Sequence, residues 1–396
     1  MIEIKDKTKC SGCTACMNIC PVHAIEMVED EEGFKYPVIN SKKCIKCNLC
    51  SKICPILNKQ KMKDSFQQKT YLFQNKDEKV RMNSTAGGFF ERIGSYVIEK
   101  KGIVYGACFD NHFKVIHKGT NNYDDLLSFC KSKYVQSDLG SIFSEIKKNL
   151  DNHILVCFSG TPCQVAGLHA YLKKDYSNLI LIDIVCHSVP SPLVFEKYKE
   201  HILTKTNSSK IENIIFRDKE KYGYEYSMMT LITDKKKYSE GLDTDPYLKA
   251  FFRDISIRPS CSNCAFKTQK RVSDITIWDC FNIGNLDHSL DDNKGTTRIL
   301  VHSEKGNNLV HELDHCTLKE ISLSKAISNV KEMTHSVKLN SKRSEFFYDL
   351  NQKDIDVFDK YFPISFKTRI SSFSRKLLCK LGLYNFIKYS IRKIKK

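Results

Sequence analysis

Eight cysteines near the start of the chain repeat one spacing. Cys10, Cys13, Cys16 and Cys20, the last followed by Pro21, are echoed thirty-four positions on by Cys44, Cys47, Cys50 and Cys54, followed by Pro55. Each copy reads C-x2-C-x2-C-x3-C-P, in which three closely spaced thiolates wrap one iron–sulfur cube and the fourth, before proline, reaches across to the other. The expected ligand sets are therefore Cys10, Cys13 and Cys16 with Cys54, and Cys44, Cys47 and Cys50 with Cys20. Zinc competes for such residues, but zinc sites pair two C-x2-C knuckles and have no use for eight cysteines in two identical quartets. Two [4Fe–4S] clusters are the chemistry this spacing predicts.

A second, dispersed set follows. The apolar run 153–158 leads straight into Ser159-Gly160-Thr161-Pro162-Cys163-Gln164. This is a strand-to-helix turn of small residues with proline early in the helix, so backbone donors and Cys163 are aimed at whatever lies above the sheet edge. Cys186 ends the next apolar run, and Cys261-x2-Cys264 supplies a chelating pair. Four cysteines from three loops can complete one more [4Fe–4S] cluster or a structural zinc site, and spacing alone leaves both open. A further reading makes Cys163 a nucleophile beside His187. Ser84-Thr85-Ala86-Gly87-Gly88 precedes a helical pattern; a hydroxyl cap and glycines that admit a close ligand make it a candidate anion site, although an ordinary helix start has the same composition. Cys108, Cys130, Cys157, Cys280, Cys316 and Cys379 have no partner at ligand spacing and default to small buried hydrophobes.

Four regions must position these residues. Residues 1–58 read as an α+β ferredoxin-like two-cluster module, with a short hairpin of 24–28 and 36–39 around Glu31-Glu32-Gly33. Residues 59–69 are polar and charged, a linker. Over residues 70–325 apolar strands alternate with helical patterns, which predicts an α/β domain. Strands are expected at 102–109, 153–158, 179–186, 213–217, 228–233, 274–278 and 298–302, and helices at 87–100, 139–149, 164–173, 193–203, 247–253 and 306–313. Residues 326–396 read as a basic helical C-terminal tail. After Asp359 no acidic residue appears, and Phe366, Ile370, Phe373, Leu377, Leu381, Tyr384, Ile387, Ile391 and Ile394 recur three or four apart, with a break at Gly382. That pattern suits an interfacial helix on an anionic membrane or a partner complex, and equally a helix laid on its own domain with a solvated basic face.

With 396 residues, 41% of them hydrophobic, the chain can bury two or three domain cores, and no run approaches the roughly eighteen apolar residues of a membrane span. The opening MIEIKDKTKC has no apolar signal region, so the expected location is the cytoplasm, with peripheral contact at the inner membrane surface through the basic tail. Eighteen cysteines in such a chain are expected to stay reduced. A net charge of +17 invites a nucleic-acid reading. No zinc finger, RRM or helix-turn-helix pattern accompanies it, and nucleic acid is not an expected partner. Acidic redox carriers, anionic cofactors and anionic lipid explain the same charge.

In order along the chain stand Ser84–Gly88, Lys-Tyr-Val-Gln-Ser at 133–137, Ser-Gly-Thr-Pro-Cys-Gln at 159–164, Asp-Ile-Val-Cys-His at 183–187 with Pro-Ser-Pro at 190–192, Cys-Ser-Asn-Cys at 261–264, Ser-Asp-Ile-Thr-Ile at 273–277 and Lys-Gly-Thr-Thr at 294–297. Behind the double cysteine module these resemble the coenzyme F420 hydrogenase/dehydrogenase beta-subunit family, in its form associated with bacterial polysaccharide biosynthesis. The resemblance spans about residues 1–315. It implies an iron–sulfur flavoprotein oxidoreductase whose α/β domain binds FAD, bridging one-electron clusters and an organic two-electron acceptor. It further implies that Ser84, Gly87 and Gly88 cradle the FAD pyrophosphate. Lys133, Tyr134, Gln136, Ser137, Ser159, Gly160 and Thr161 would line the rest of the cofactor, and Cys163, Cys186, Cys261 and Cys264 a third, flavin-proximal cluster. Ferredoxin or another acidic carrier is the implied electron partner; the alternative is an electron-transfer subunit of a larger complex with no substrate of its own. Two segments depart from the family: Trp278-Asp279-Cys280-Phe281-Asn282 stands where Gly-Asp-Phe-Trp-Gly is usual, and Cys186-His187-Ser188 where Cys-His-Gly is. Both departures lie near the implied active face and leave open whether the acceptor is the deazaflavin coenzyme.

Overall fold

A computed structural model describes residues 2–58, 66–352 and 356–384. Most of the expected linker, and Ile387, Ile391 and Ile394 of the terminal apolar pattern, lie outside the described residues.

In the N-terminal module the two quartets fold alike. Each second cysteine is followed by a residue in left-handed conformation, Thr14 or Asn48 (φ 60° in both), which opens a four-residue helix, Ala15–Asn18 or Leu49–Lys52. Between them run β1 (Ile25–Glu29) and β2 (Lys35–Ile39), paired antiparallel with Ile25 opposite Ile39.

The remaining strands are β3 (Lys69–Asn75), β4 (Ile103–Phe109), β5 (Val115–Thr120), β6 (Val156–Gly160), β7 (Leu179–Ile184), β8 (Ile211–Asp218), β9 (Met228–Thr233), β10 (Lys237–Gly241), β11 (Ile275–Asp279), β12 (Thr297–Val301) and β13 (Cys316–Ile321). Eight of them form one mixed sheet in the order β13-β3-β12-β11-β7-β6-β4-β5. Its centre, β4, β6, β7 and β11, is parallel, and its flanks are antiparallel. Both faces are covered, which is why β7 reads as an almost unbroken apolar run. Cys157, Ile180 and Ile182 pack under helices Phe89–Glu99 and Glu304–Glu312, while Val156, Phe158, Leu179 and Leu181 pack under Ile142–Asp151 and Pro162–Leu172. The parallel strands end together at one edge, where α/β sheets place ligands.

A smaller antiparallel sheet, β10-β9-β8, shares a core with helices Pro192–Thr206 and Pro246–Phe252. Phe34 and Tyr36 of the N-terminal hairpin enter this core, and so do Phe346, Phe347, Leu350, Val357, Phe358 and Phe362. Packing therefore does not break at the boundary expected after residue 325. The first half of the supposed tail contributes to the core because Phe346, Phe347, Phe358 and Phe362 are drawn in; helix Phe366–Lys380 buries none of its residues. The polar stretch 59–69 is likewise shorter than read, since Lys69 opens β3 and Gln68 bonds the Gln269 carbonyl and His302.

Candidate redox site

The first expected ligand set converges. Cys10, Cys16 and Cys54 lie close enough to act on one another's charge, and Cys13 on Cys10 and Cys16. Burial pushes Cys16 up to about 12 and Cys13 well above the usual thiol range. Such thiols ionise readily only beside a compensating cation, the situation of a metal ligand. In the second set Cys20 and Cys50 are buried in one cluster with Cys44 beside them, and their sulfurs accept backbone N–H groups from Ala24 (3.2 Å) and Ile2 (3.4 Å). Cys47 is exposed.

At the carboxyl edge of the large sheet a third quartet comes together from three loops. Cys163 and Cys264, Cys186 and Cys261, and Cys186 and Cys163 act on one another's charge, and burial is the largest influence, raising Cys163 to about 11 and Cys261 to about 12. Cys163 reaches this edge because Thr161 and Gln164 start its helix: Gln164 Oε1 accepts the Thr161 N–H at 2.9 Å, and Pro162 presets the first turn. His187 does not serve Cys163. Its Nε2 pairs with Asp254 Oδ1 at 2.9 Å and its ring packs on Phe251 and Phe252, so the nucleophile–base reading has no geometric support. Among the described residues no group of three or more His, Cys, Asp or Glu closes around a single metal ion.

The first and third quartets are neighbours. Cys13 acts on Cys163, and a Cβ built on Gly167, one turn into the Cys163 helix, would meet Cys13 Sγ at 3.0 Å. Between them lies Arg258, 1% exposed. Its Nε donates to the Cys10 carbonyl at 2.8 Å, and its terminal nitrogens to Gln136 Oε1 (2.9 Å), the Lys35 carbonyl (3.0 Å) and Cys10 Sγ (3.8 Å). Its guanidinium stacks 4.3 Å from the Tyr36 ring centroid, and its charge acts on both Cys163 and Cys261. No carboxylate pairs with it among the described residues.

The residues expected around a flavin fall into three linked places. At the first, the Ser84–Gly88 turn meets the 294–297 loop: the Gly87 N–H donates to Thr297 Oγ1 at 2.9 Å, and a Cβ on Gly87 would strike the Phe73 carbonyl at 2.3 Å. Gly87 is thus glycine for close packing and its amide is engaged, whereas Gly88 caps the following helix with φ 82°. Ser84 is buried behind the turn. Lys219 lies beneath, its Nζ donating to the carbonyls of Arg81 (2.7 Å), Ala86 (3.0 Å) and Lys294 (2.8 Å). Burial, then Arg217, Lys131 and Arg81, pull Lys219 down to about 7. Lys133 donates to the Ser128 and Lys131 carbonyls, and burial lowers it to about 8.

The second place is Tyr134, within hydrogen-bond reach of Arg217, which pairs with Asp279 (3.3 Å); Tyr224 donates to the same carboxylate at 3.0 Å. The third is Ser137 Oγ, which accepts from Gln164 Nε2 at 2.8 Å beside Thr161 and Gly160, with the Ser159 carbonyl 3.0 Å from His117 Nε2. Gln136 stands apart from these, tied to Ser11 and Arg258 at the junction of the quartets. Buried Lys219 together with Lys133 at the first place, and Arg217 Nε at the second without a partner among the described residues, suit an anionic, polar ligand, whereas His117, its Nε2 donating to the Ser159 carbonyl, offers only an acceptor at Nδ1. Lys219, Arg217 and Arg258 carry no motif in the sequence; the one signal they offer is that buried basic residues are rare.

Residues 154–324 match the family described as the C terminus of the coenzyme F420 hydrogenase/dehydrogenase beta subunit, and residues 9–57 match the 4Fe-4S dicluster domain. Among solved structures, a chain of the xenon-derivatised F420-reducing [NiFe] hydrogenase complex from Methanosarcina barkeri is similar at 13% identity and a TM-score of 0.43, over 73% of this chain and 95% of that one. No curated protein matches.

Proposed function

We propose, from the match of residues 9–57 to the 4Fe-4S dicluster domain and of residues 154–324 to the C terminus of the coenzyme F420 hydrogenase/dehydrogenase beta subunit, that the chain is an iron–sulfur flavoprotein that moves electrons between its clusters and an organic two-electron acceptor. Thiolate-held iron supplies single-electron transfer, and FAD supplies the exchange between one- and two-electron chemistry. Cys10, Cys13, Cys16 and Cys54 would hold the cluster nearer the α/β domain, Cys44, Cys47, Cys50 and Cys20 the outer one, and Cys163, Cys186, Cys261 and Cys264 a third. The carrying observation is the packing of Cys13 against Gly167 of the Cys163 helix, with the charge of Cys163 acting on Cys13, which supports electron passage from the cysteine module to the cysteine edge of the sheet. Lys219 and Lys131, beside the Ser84–Gly88 turn, would provide positive charge for the dinucleotide phosphates. Arg217, Tyr134, Ser137 and Thr161 provide polar contacts between that turn and the third quartet. An acidic carrier such as ferredoxin is the proposed electron donor, drawn by the basic surface.

Protein purified without oxygen should carry about twelve irons with three cubes or about eight with two, and should release FAD on denaturation. Cys163→Ser should cut reduction of the flavin while leaving the N-terminal cluster signals intact. An iron content near four, or flavin reduction indifferent to Cys163→Ser, would overturn respectively the dicluster assignment and the third-cluster route.

A further inference from the structure

Helix Phe366–Lys380 is amphipathic in the reverse of the usual sense. Its polar side faces the protein: Arg375 pairs with Asp243 at 3.2 Å and stacks 3.8 Å from the Tyr226 ring, Lys376 pairs with Glu240 at 2.6 Å, and Cys379 Sγ donates to the Lys221 carbonyl at 3.5 Å. At 3.6 residues per turn, Phe366, Ile370, Phe373, Leu377 and Leu381 form one narrow stripe opposite Arg375. That stripe faces out, with Phe366 79%, Phe373 68% and Leu381 59% exposed. A row of large apolar side chains held away from the body of the protein by ion pairs is not an unfinished core. It is a surface awaiting a cover.

Charge identifies the cover. From residue 360 to the end the sequence has eleven Lys and Arg and no Asp or Glu. Lys367, Arg369 and Lys380 border the stripe on the helix itself, where their aliphatic stems can lie along an apolar phase and their charges reach a polar one. No helix among the described residues is long and apolar enough to cross a membrane, so the arrangement suits lying in an interface. We propose that this helix seats the protein on an anionic lipid bilayer, its apolar stripe among the acyl chains and its basic border on the headgroups. This goes beyond the redox assignment and does not depend on it.

The full-length protein, loaded with its clusters, should sediment with vesicles of equal parts phosphatidylglycerol and phosphatidylcholine, and release as salt rises. Phe373→Glu with Leu377→Glu should weaken that binding by at least about tenfold, since each exposed ring or branched chain withdrawn from the apolar phase is worth about a factor of ten or more. Phe373→Ala with Leu377→Ala should weaken it less. Both pairs alter exposed positions, so iron content and thermal unfolding should not change. Equal binding to pure phosphatidylcholine, or no binding to either vesicle, would overturn the proposal. So would a concentration-dependent dimer in vesicle-free sedimentation that the same variants abolish, since the stripe would then be covered by a second copy.

Discussion

The residue that the structure singles out is Arg258. A guanidinium cannot shed its proton, and burying one without a counter-ion is costly. Here its donors go to two carbonyls, an amide oxygen and a cysteine sulfur, with no carboxylate among the described residues. Its position between Cys10 and the Cys163–Cys261 side of the third quartet makes thiolate-bound clusters the natural source of negative charge. A cation there favours the more negative, reduced state. Arg258→Gln, which keeps the packing length but not the charge, should therefore move the first cluster to a more negative potential, by about 59 mV for each tenfold change in its one-electron equilibrium. Potentiometric titration checks this, and an unchanged potential in protein with full iron content would reduce Arg258 to a packing role. None of it was legible in the sequence. The two N-terminal cysteine quartets were, because ligand spacing within each loop is local and residues 9–57 match the 4Fe-4S dicluster domain; an arginine whose partners are Cys10, Lys35 and Gln136 looks in the chain like any other basic residue.

At the scale of elements, the buried strands could be read and the edges could not. β4, β6, β7, β9, β11 and β12 carry apolar runs and appear where expected. β5 and β10 are polar strands at sheet edges, and β13 is half-exposed on the flank, so none has the continuous apolarity that burial on both faces imposes. β3 was hidden by the charged stretch before it. The turns were legible as motifs, but what fixes them was not: Lys219 ties the Ser84–Gly88 turn to the 294–297 loop through three backbone carbonyls. Its pKa of about 7 lies below the usual 10.5. Between those values the unfolded chain binds more protons than the folded one, so in the ligand-free protein Lys219 makes stability rise with pH from about 7 toward 10.5. A phosphate nearby would draw the proton back, and FAD affinity should fall as pH rises through about 7. Lys219→Met should remove both slopes and weaken FAD by about tenfold, because it removes a buried positive charge near the dinucleotide phosphates and frees the turn that its three carbonyl bonds hold. Calorimetric titration at several pH values tests this; a pH-independent affinity equal in wild type and variant places the dinucleotide elsewhere.

In the molecule as a whole, the N-terminal module is fixed and not merely tethered. Glu32, at the tip of its hairpin, receives both terminal nitrogens of Arg343 (2.5 and 2.6 Å), and the pair is almost wholly buried. Arg343 also donates to the Ile257 carbonyl and stacks 4.6 Å from Phe347, so one side chain joins the hairpin, the loop that leads to Arg258 and the C-terminal core. Gly33, at φ 81°, lets the turn press against Leu193 and Ser191, where a Cβ would meet Leu193 Cβ at 2.4 Å. The proposed electron transfer between the first and third quartets would need that contact held, because distance sets its rate. Removing one partner of a buried pair strands the other and costs about 3–5 kcal/mol. Glu32→Gln should therefore loosen the hairpin without touching a cysteine: faster amide exchange over residues 24–39 and slower electron flow from the N-terminal clusters, with all N-terminal iron retained. Arg343→Met with Glu32→Gln should recover part of the loss, since no charge is then left buried alone. If Glu32→Gln leaves both exchange and transfer rates unchanged, the module is held by Arg258 and the aromatic packing of Phe34 and Tyr36, and the ion pair only decorates an interface that apolar burial has already closed.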